Sequence, residues 1–104
     1  VLFHLAEPDA WADAQMSPEG VYRAASLRTE GFVHCSWPHQ LDATARRYYR
    51  GREDLVLLRI DARHPGVAPH LVVEATRGPE AFPHVYSAIP LEAVVAAAVT
   101  AIPS

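Results

Sequence analysis

Three short apolar runs in this chain each carry a histidine, and any fold must give all three imidazoles a partner or a route to water. The first is Val1-Leu2-Phe3-His4 and the second Gly31-Phe32-Val33-His34-Cys35-Ser36. The third is Phe82-Pro83-His84-Val85-Tyr86. Burying an imidazole without a hydrogen bond is costly, and the ring exchanges protons near neutral pH. Three such insertions in one small chain predict strands that converge on a polar site.

The chain has 104 residues, enough for one core and one cleft but not for a separate cofactor domain. We read residues 1–104 as a single domain. All nine basic residues are arginine and none is lysine, which excludes a Schiff-base or P-loop lysine within these residues. The formal net charge of -3 argues against non-specific nucleic-acid binding, which uses a basic surface. Cys35 is the lone cysteine, so neither an intrachain disulfide nor a multi-cysteine zinc site is expected. No apolar run reaches the length of a membrane span, and no signal-peptide pattern is visible. The expected location is therefore the cytoplasm, with no membrane partner.

The chain reads as alternating short elements. Residues 1–5 predict a strand, and Asp9 a cap for a helix carrying Ala10, Trp11, Ala12 and Ala14. Ser17-Pro18-Glu19-Gly20 predicts a turn, and residues 21–30 read as irregular. Residues 32–36 predict a second strand. Ser36 then reads as the N-cap of a helix from Pro38 to about Arg50, stopped by Gly51. Strands are predicted at 55–60, 71–75 and 84–87, and residues 61–69 read as a loop with one helical turn. Residues 91–102 mix valine with alanine; a strand after one turn is the reading adopted. The expected fold class is α+β, with a curved mixed sheet of about five or six strands and two main helices.

Side chains two apart on a strand share a face. His34 and Ser36 therefore project together with Phe32, while Val33 and Cys35 face the core, where a thiol is inert. His84 and Tyr86 repeat the spacing. Glu74 interrupts an apolar strand and needs a partner; Arg23 or Arg28 would serve. His4 reads either as a core histidine donating to a backbone carbonyl or as a ligand contact. Ser36 reads as a cap, as a site residue, or as both. His39, His64 and His70 lie beside prolines or in loops and carry little weight. His34 and His84 with Glu74 or His4 would make a zinc set in number, but no metal-ligand spacing supports it, and no metal is expected. No nucleophile elbow accompanies Ser36, and no Walker or Rossmann glycine pattern occurs.

These motifs, with Ser26-Leu27 upstream, Gln40 after Ser36 and Glu74 before the last segment, resemble a bacterial family, the domain-of-unknown-function family 952. The resemblance runs over nearly the whole chain. It implies a fold distantly like that of ADP-ribosyltransferases. In that superfamily a residue on the first core strand contacts the nicotinamide ribose of NAD, and His4 sits at the matching place. A polar motif on a second strand lies beside the nicotinamide, where His34 and Ser36 sit. The late-strand glutamate of that superfamily is replaced here by His84 and Tyr86, which puts transfer to protein side chains in doubt.

The resemblance implies an NAD- or nucleotide-dependent transferase or glycohydrolase, with NAD as substrate rather than as bound cofactor. His4, His34, Ser36, Glu74 and His84 would be the catalytic residues, and Phe32 and Tyr86 would bind the ligand. The alternative is a non-catalytic domain that binds a nucleotide or small metabolite.

Overall fold

The computed structural model describes residues 1–104. The first strand, β1 (Leu2–Ala6), is almost wholly buried because both of its faces are covered. Leu2 and Ala6 join the main core, whereas Leu5 packs in a second cluster with Ala45, Leu55 and Ile102. The same alternation runs through β4 (Leu55–Ile60), where Val56, Leu58 and Ile60 enter the main core and Leu55 the second cluster. An apolar run that would be ambiguous alone is thus a strand sandwiched on both sides.

In chain order, β1 is followed by α1 (Pro8–Gln15), β2 (Val21–Tyr22), α2 (Ala25–Thr29), β3 (Val33–His34) and α3 (Leu41–Tyr49). After β4 come β5 (Leu71–Glu74), β6 (Phe82–Val85), β7 (Ile89–Pro90) and β8 (Val94–Thr100). Single 3-10 turns precede β5, at Ala68–His70, and β8, at Leu91–Ala93. The strands form three sheets with orders β1-β4-β8, β2-β7 and β3-β6-β5. Every pairing is antiparallel.

The α+β class and the two main helices agree with the sequence reading, but the single mixed sheet does not. The two three-stranded sheets meet at one bridge, Phe3 opposite Ser36, closed by two backbone hydrogen bonds of 2.8 Å. They then separate. The tail is a strand after one turn, as expected.

Local expectations fail at the helix starts, where neither assumed cap residue is the N-cap and no side chain makes a capping hydrogen bond. Helix α1 has Glu7 at its N-cap with Pro8 leading its first turn, and Asp9 lies inside that turn. Proline is suited to that position because the missing N–H would have been unpaired anyway. Helix α3 begins at Leu41 rather than Pro38, and its N-cap is Gln40, not Ser36. The segment between is a turn closed by Gln40 N–H donating to the Trp37 carbonyl (2.9 Å). Residues 21–30 hold β2 and α2, which are too short to show a period. Strand β6 begins two residues earlier than expected, with Pro83 inside it; the Pro83 carbonyl accepts the Cys35 N–H at 3.1 Å.

The loop after β4 folds back on β7. A Cβ on Gly66 would lie 2.5 Å from Cγ of Pro90, a ring atom that cannot rotate away. Gly66→Ala is expected to lower stability by about 1–3 kcal/mol, the usual range for overpacking. Equilibrium urea unfolding checks this, and an unchanged midpoint would show that the loop has room to move.

Candidate functional site

Strands β3 and β6 place His34 directly opposite His84. Phe32 precedes β3 and Tyr86 follows β6 on the same parity, so four rings gather on one face. Phe32 stacks on His84 with centroids 4.1 Å apart and planes 16° from parallel. It meets His34 edge-on at 4.8 Å and Tyr86 at 5.1 Å. The two imidazoles lie 5.3 Å apart, nearly perpendicular. Val33, Cys35 and Val85 fill the opposite face and join the main core. Burial pushes the Cys35 thiol up to about 12, so it stays protonated and unreactive.

Glu74 comes from β5, where it is opposite Phe82 and therefore diagonal to His84. Its carboxylate does not pair with arginine, contrary to the sequence expectation; Arg23 pairs with Glu19 instead, at 3.2 Å, and Arg28 has no ion-pair partner. Glu74 Oε2 lies 2.7 Å from His84 Nδ1 and also accepts the Tyr86 hydroxyl. The Tyr86 hydrogen bond, followed by that of His84, holds the Glu74 carboxyl below its usual range. The same bond raises the Tyr86 phenol. With Glu74 ionised, it can only accept, so His84 Nδ1 carries the proton and donates. His84 Nε2 makes no protein hydrogen bond. No buried side-chain polar atom lacks a partner, so Nε2 reaches accessible surface. His84 lines a broad cleft of about 1900 Å³.

Ser36 is likewise buried (4% exposed) and lines the cleft. Its hydroxyl caps nothing and makes no hydrogen bond within the chain. By the same reasoning it opens to the cleft. His34 is half-buried at the cleft wall. Its Nε2 lies 3.0 Å from Glu30 Oε2, and that bond lowers the Glu30 carboxyl. A second, smaller pocket of about 250 Å³ lies beside Leu5, Leu41 and Ile102, among apolar side chains and away from the imidazoles.

His4 is separate in character. Nδ1 lies 2.6 Å from the His34 carbonyl, and Nε2 lies 2.7 Å from the Tyr22 hydroxyl. A carbonyl only accepts, so Nδ1 bears the proton and Nε2 accepts from Tyr22. Both ring nitrogens are thus occupied by the protein, the core arrangement that sequence reading set beside a ligand contact. Burial lowers its pKa to about 4, which keeps the ring neutral.

Sequence reading assigned no role to three contributors. Glu30 lay in a segment read as irregular, although its spacing of four from His34 was a usable signal. Gln40 entered only through the resemblance. Its Oε1 accepts the Trp37 N–H (3.1 Å), and its Nε2 donates to Glu80 Oε2 (3.0 Å) and to the Ala81 carbonyl (2.8 Å). It pins the loop between β5 and β6 over the cleft. Ser26 Oγ donates to the Phe32 carbonyl (2.7 Å) and ties α2 to the start of β3.

Residues 5–97 match the family described as Protein of unknown function (DUF952). The chain belongs to that family. Its fold is similar to that of protein CC0527 from Caulobacter crescentus. The crystal structure of that protein has 28% sequence identity and a TM-score of 0.82, covering 99% of this chain and 92% of that one. The solution structure of the same protein gives 30% identity and a TM-score of 0.77, over 94% and 82% of the two chains. No curated protein matches the chain. The ADP-ribosyltransferase likeness of the fold is not among these findings.

In this DUF952 chain, no three histidine, cysteine, aspartate or glutamate side chains are grouped to hold a metal ion. No helix is long and apolar enough to cross a membrane. The arrangement can accept a proton at His84 Nε2, hydrogen-bond a ligand at Ser36, and offer the His34 ring as a wall. Phe32 is buried against His84, and neither it nor Tyr86, the two expected ligand contacts, lines the cleft.

The neutral His4 makes stability depend on pH with a defined sign. Its folded pKa of about 4 lies below its ordinary 6.5, so the unfolded chain binds the extra proton. Its contribution is complete above pH 6.5 and is lost as pH falls towards 4, amounting to about 3 kcal/mol. Urea unfolding at several pH values should show this loss in the wild type and a shallower one in His4→Gln. Equal slopes in the two proteins would mean that His4 titrates normally in the folded state.

Proposed function

We propose that the cleft binds a nucleotide-type ligand, with NAD the leading candidate, and that the chain catalyses transfer of its ADP-ribosyl group from nicotinamide to an acceptor hydroxyl or water. The observation that supports this is the Glu74–His84 pair: a carboxylate 2.7 Å from Nδ1 and an unpartnered Nε2 at the cleft. A carboxylate at Nδ1 fixes the tautomer that leaves Nε2 with its lone pair, as a general base requires. Stacking on Phe32 restrains the ring plane. The distant likeness to ADP-ribosyltransferases belongs to this proposal and supplies the choice of NAD.

In the proposed step the bond between C1′ of the ribose and the nicotinamide nitrogen breaks, and its electron pair leaves with neutral nicotinamide. The acceptor oxygen bonds C1′ while its proton passes to His84 Nε2, which returns it to solvent. The reaction passes through an oxocarbenium-like transition state, which positioning and local negative charge stabilise. Ser36 holds a ribose hydroxyl, and His34 forms the wall against the ligand. Tyr86 acts through Glu74, whose carboxylate it fixes. His4 acts from behind, by holding the His34 backbone.

Binding without turnover is the second reading. It is favoured by the way Glu74 spends its carboxylate on His84 and Tyr86 rather than on the cleft.

A thermal-shift screen with NAD, ADP-ribose, nicotinamide and 2′-phosphorylated nucleotides, followed by an assay for released nicotinamide, tests both. The wild type is expected to be stabilised by NAD or ADP-ribose and His34→Ala to lose that shift. His84→Gln is expected to slow nicotinamide release by about 10²-fold or more. A shift without release supports the binding module. No shift with any of the compounds overturns the nucleotide reading.

A further inference from the structure

Helix α3 and the loop between β5 and β6 bring two arginines to one tyrosine at the mouth of the cleft. The Arg47 guanidinium lies over the Tyr48 ring at 5.5 Å from its centroid, and that of Arg77 at 5.9 Å. All three residues line the cleft. Arg47 takes part in no ion pair. Arg77 has one carboxylate contact, a 3.5 Å approach to Glu30 Oε1, and Glu30 already holds His34 at 3.0 Å. Two cations thus share a rim with a single, divided counter-charge.

The position of Arg77 is built rather than incidental. Its loop is fastened at Glu80 and Ala81 by the buried Gln40 side chain, which leads directly into α3, the helix that carries Arg47 and Tyr48. A guanidinium that lies against an aromatic ring uses its face for the ring. Apart from the Arg77 N–H that donates to Glu30, the guanidinium N–H groups of Arg47 and Arg77 make no hydrogen bond within the chain, and they match two oxygens of a phosphate.

We infer that Arg47 and Arg77, held against Tyr48, form a phosphate subsite at the cleft mouth, for the phosphate or diphosphate of a small ligand. The assignment of that ligand as a nucleotide rests on the function proposed above; the anion site does not. Carboxylates at Glu7, Asp9 and Asp13 line the same cleft on the α1 side, and the net charge is -3. A long polyanion would meet repulsion there, so the occupant is compact, with its charge at one end. The Arg77–Glu30–His34 chain of contacts leads from this subsite towards the imidazoles.

Titration calorimetry with inorganic pyrophosphate tests the subsite, using wild type, Arg47→Gln with Arg77→Gln, and Arg46→Gln. Arg46 pairs with Asp42 at 3.4 Å and serves as the control for lost charge alone. All of these positions are exposed, so the fold should tolerate the changes. Pyrophosphate is expected to bind the wild type and Arg46→Gln alike, more weakly at high salt, and about tenfold or more weakly to the double variant. Equal affinity in the double variant, or no binding to the wild type, overturns the subsite. Arginine-dependent pyrophosphate binding with no response to NAD or ADP-ribose keeps the subsite and removes the nucleotide reading. NAD or ADP-ribose binding that ignores both arginines does the reverse.

Discussion

The seam between the two three-stranded sheets depends on the His4 imidazole. A continued antiparallel ladder beyond the Phe3–Ser36 bridge would set Leu5 opposite His34. The strands part instead, and the His34 carbonyl takes the His4 ring N–H at 2.6 Å. Tyr22 completes the arrangement from β2 by donating to the other ring nitrogen. One side chain therefore links β1, β3 and β2, and the opening it spans allows the wall bearing His34 to turn away from the core. The neutral state of the ring is part of this: a protonated Nε2 would have no lone pair for the Tyr22 hydroxyl.

From that seam outward, the site follows from strand parity. Phe32, His34 and Ser36 face one way because Val33 and Cys35 face the other. Strand β6 sets His84 against His34, and β5 brings Glu74 within reach of both His84 and Tyr86. The polar groups fall into two kinds. His4 and Gln40 are fully engaged by the protein and hold the scaffold. His84 Nε2 and Ser36 Oγ are unengaged and open to the cleft. This division, more than the number of histidines, separates the groups that hold the scaffold from those left free at the cleft.

Parity and burial were legible in the sequence because they depend on nearest neighbours along a strand. The shared face of His34 and Ser36, the core position of Cys35, and the strands at β4 and β5 all come from that pattern. The partner of Glu74 was not legible. Arginine is the usual choice for a half-buried carboxylate, and only strand order shows that a histidine and a tyrosine arrive first. Ser36 failed as a cap because the segment that follows it, Pro38-His39-Gln40, forms a turn of its own that Gln40 closes. Helix α2 and strands β2 and β7 are too short to show a period. The separation into sheets escaped because it turns on one missing ladder pair.

The links that create the cleft are long in sequence. His4 and His34 are 30 residues apart, and Gln40 and Ala81 are 41 apart. Loops of that length close late, because their entropy must be lost before the contacts form. Helix α3 and the β5–β6 hairpin can assemble locally, but the imidazole wall cannot. A partly folded chain would hold helix α3 and the β5–β6 hairpin and yet have no cleft, because the β1–β4 and β3–β6 pairings are longer still in sequence; an assembled cleft would report the completed fold.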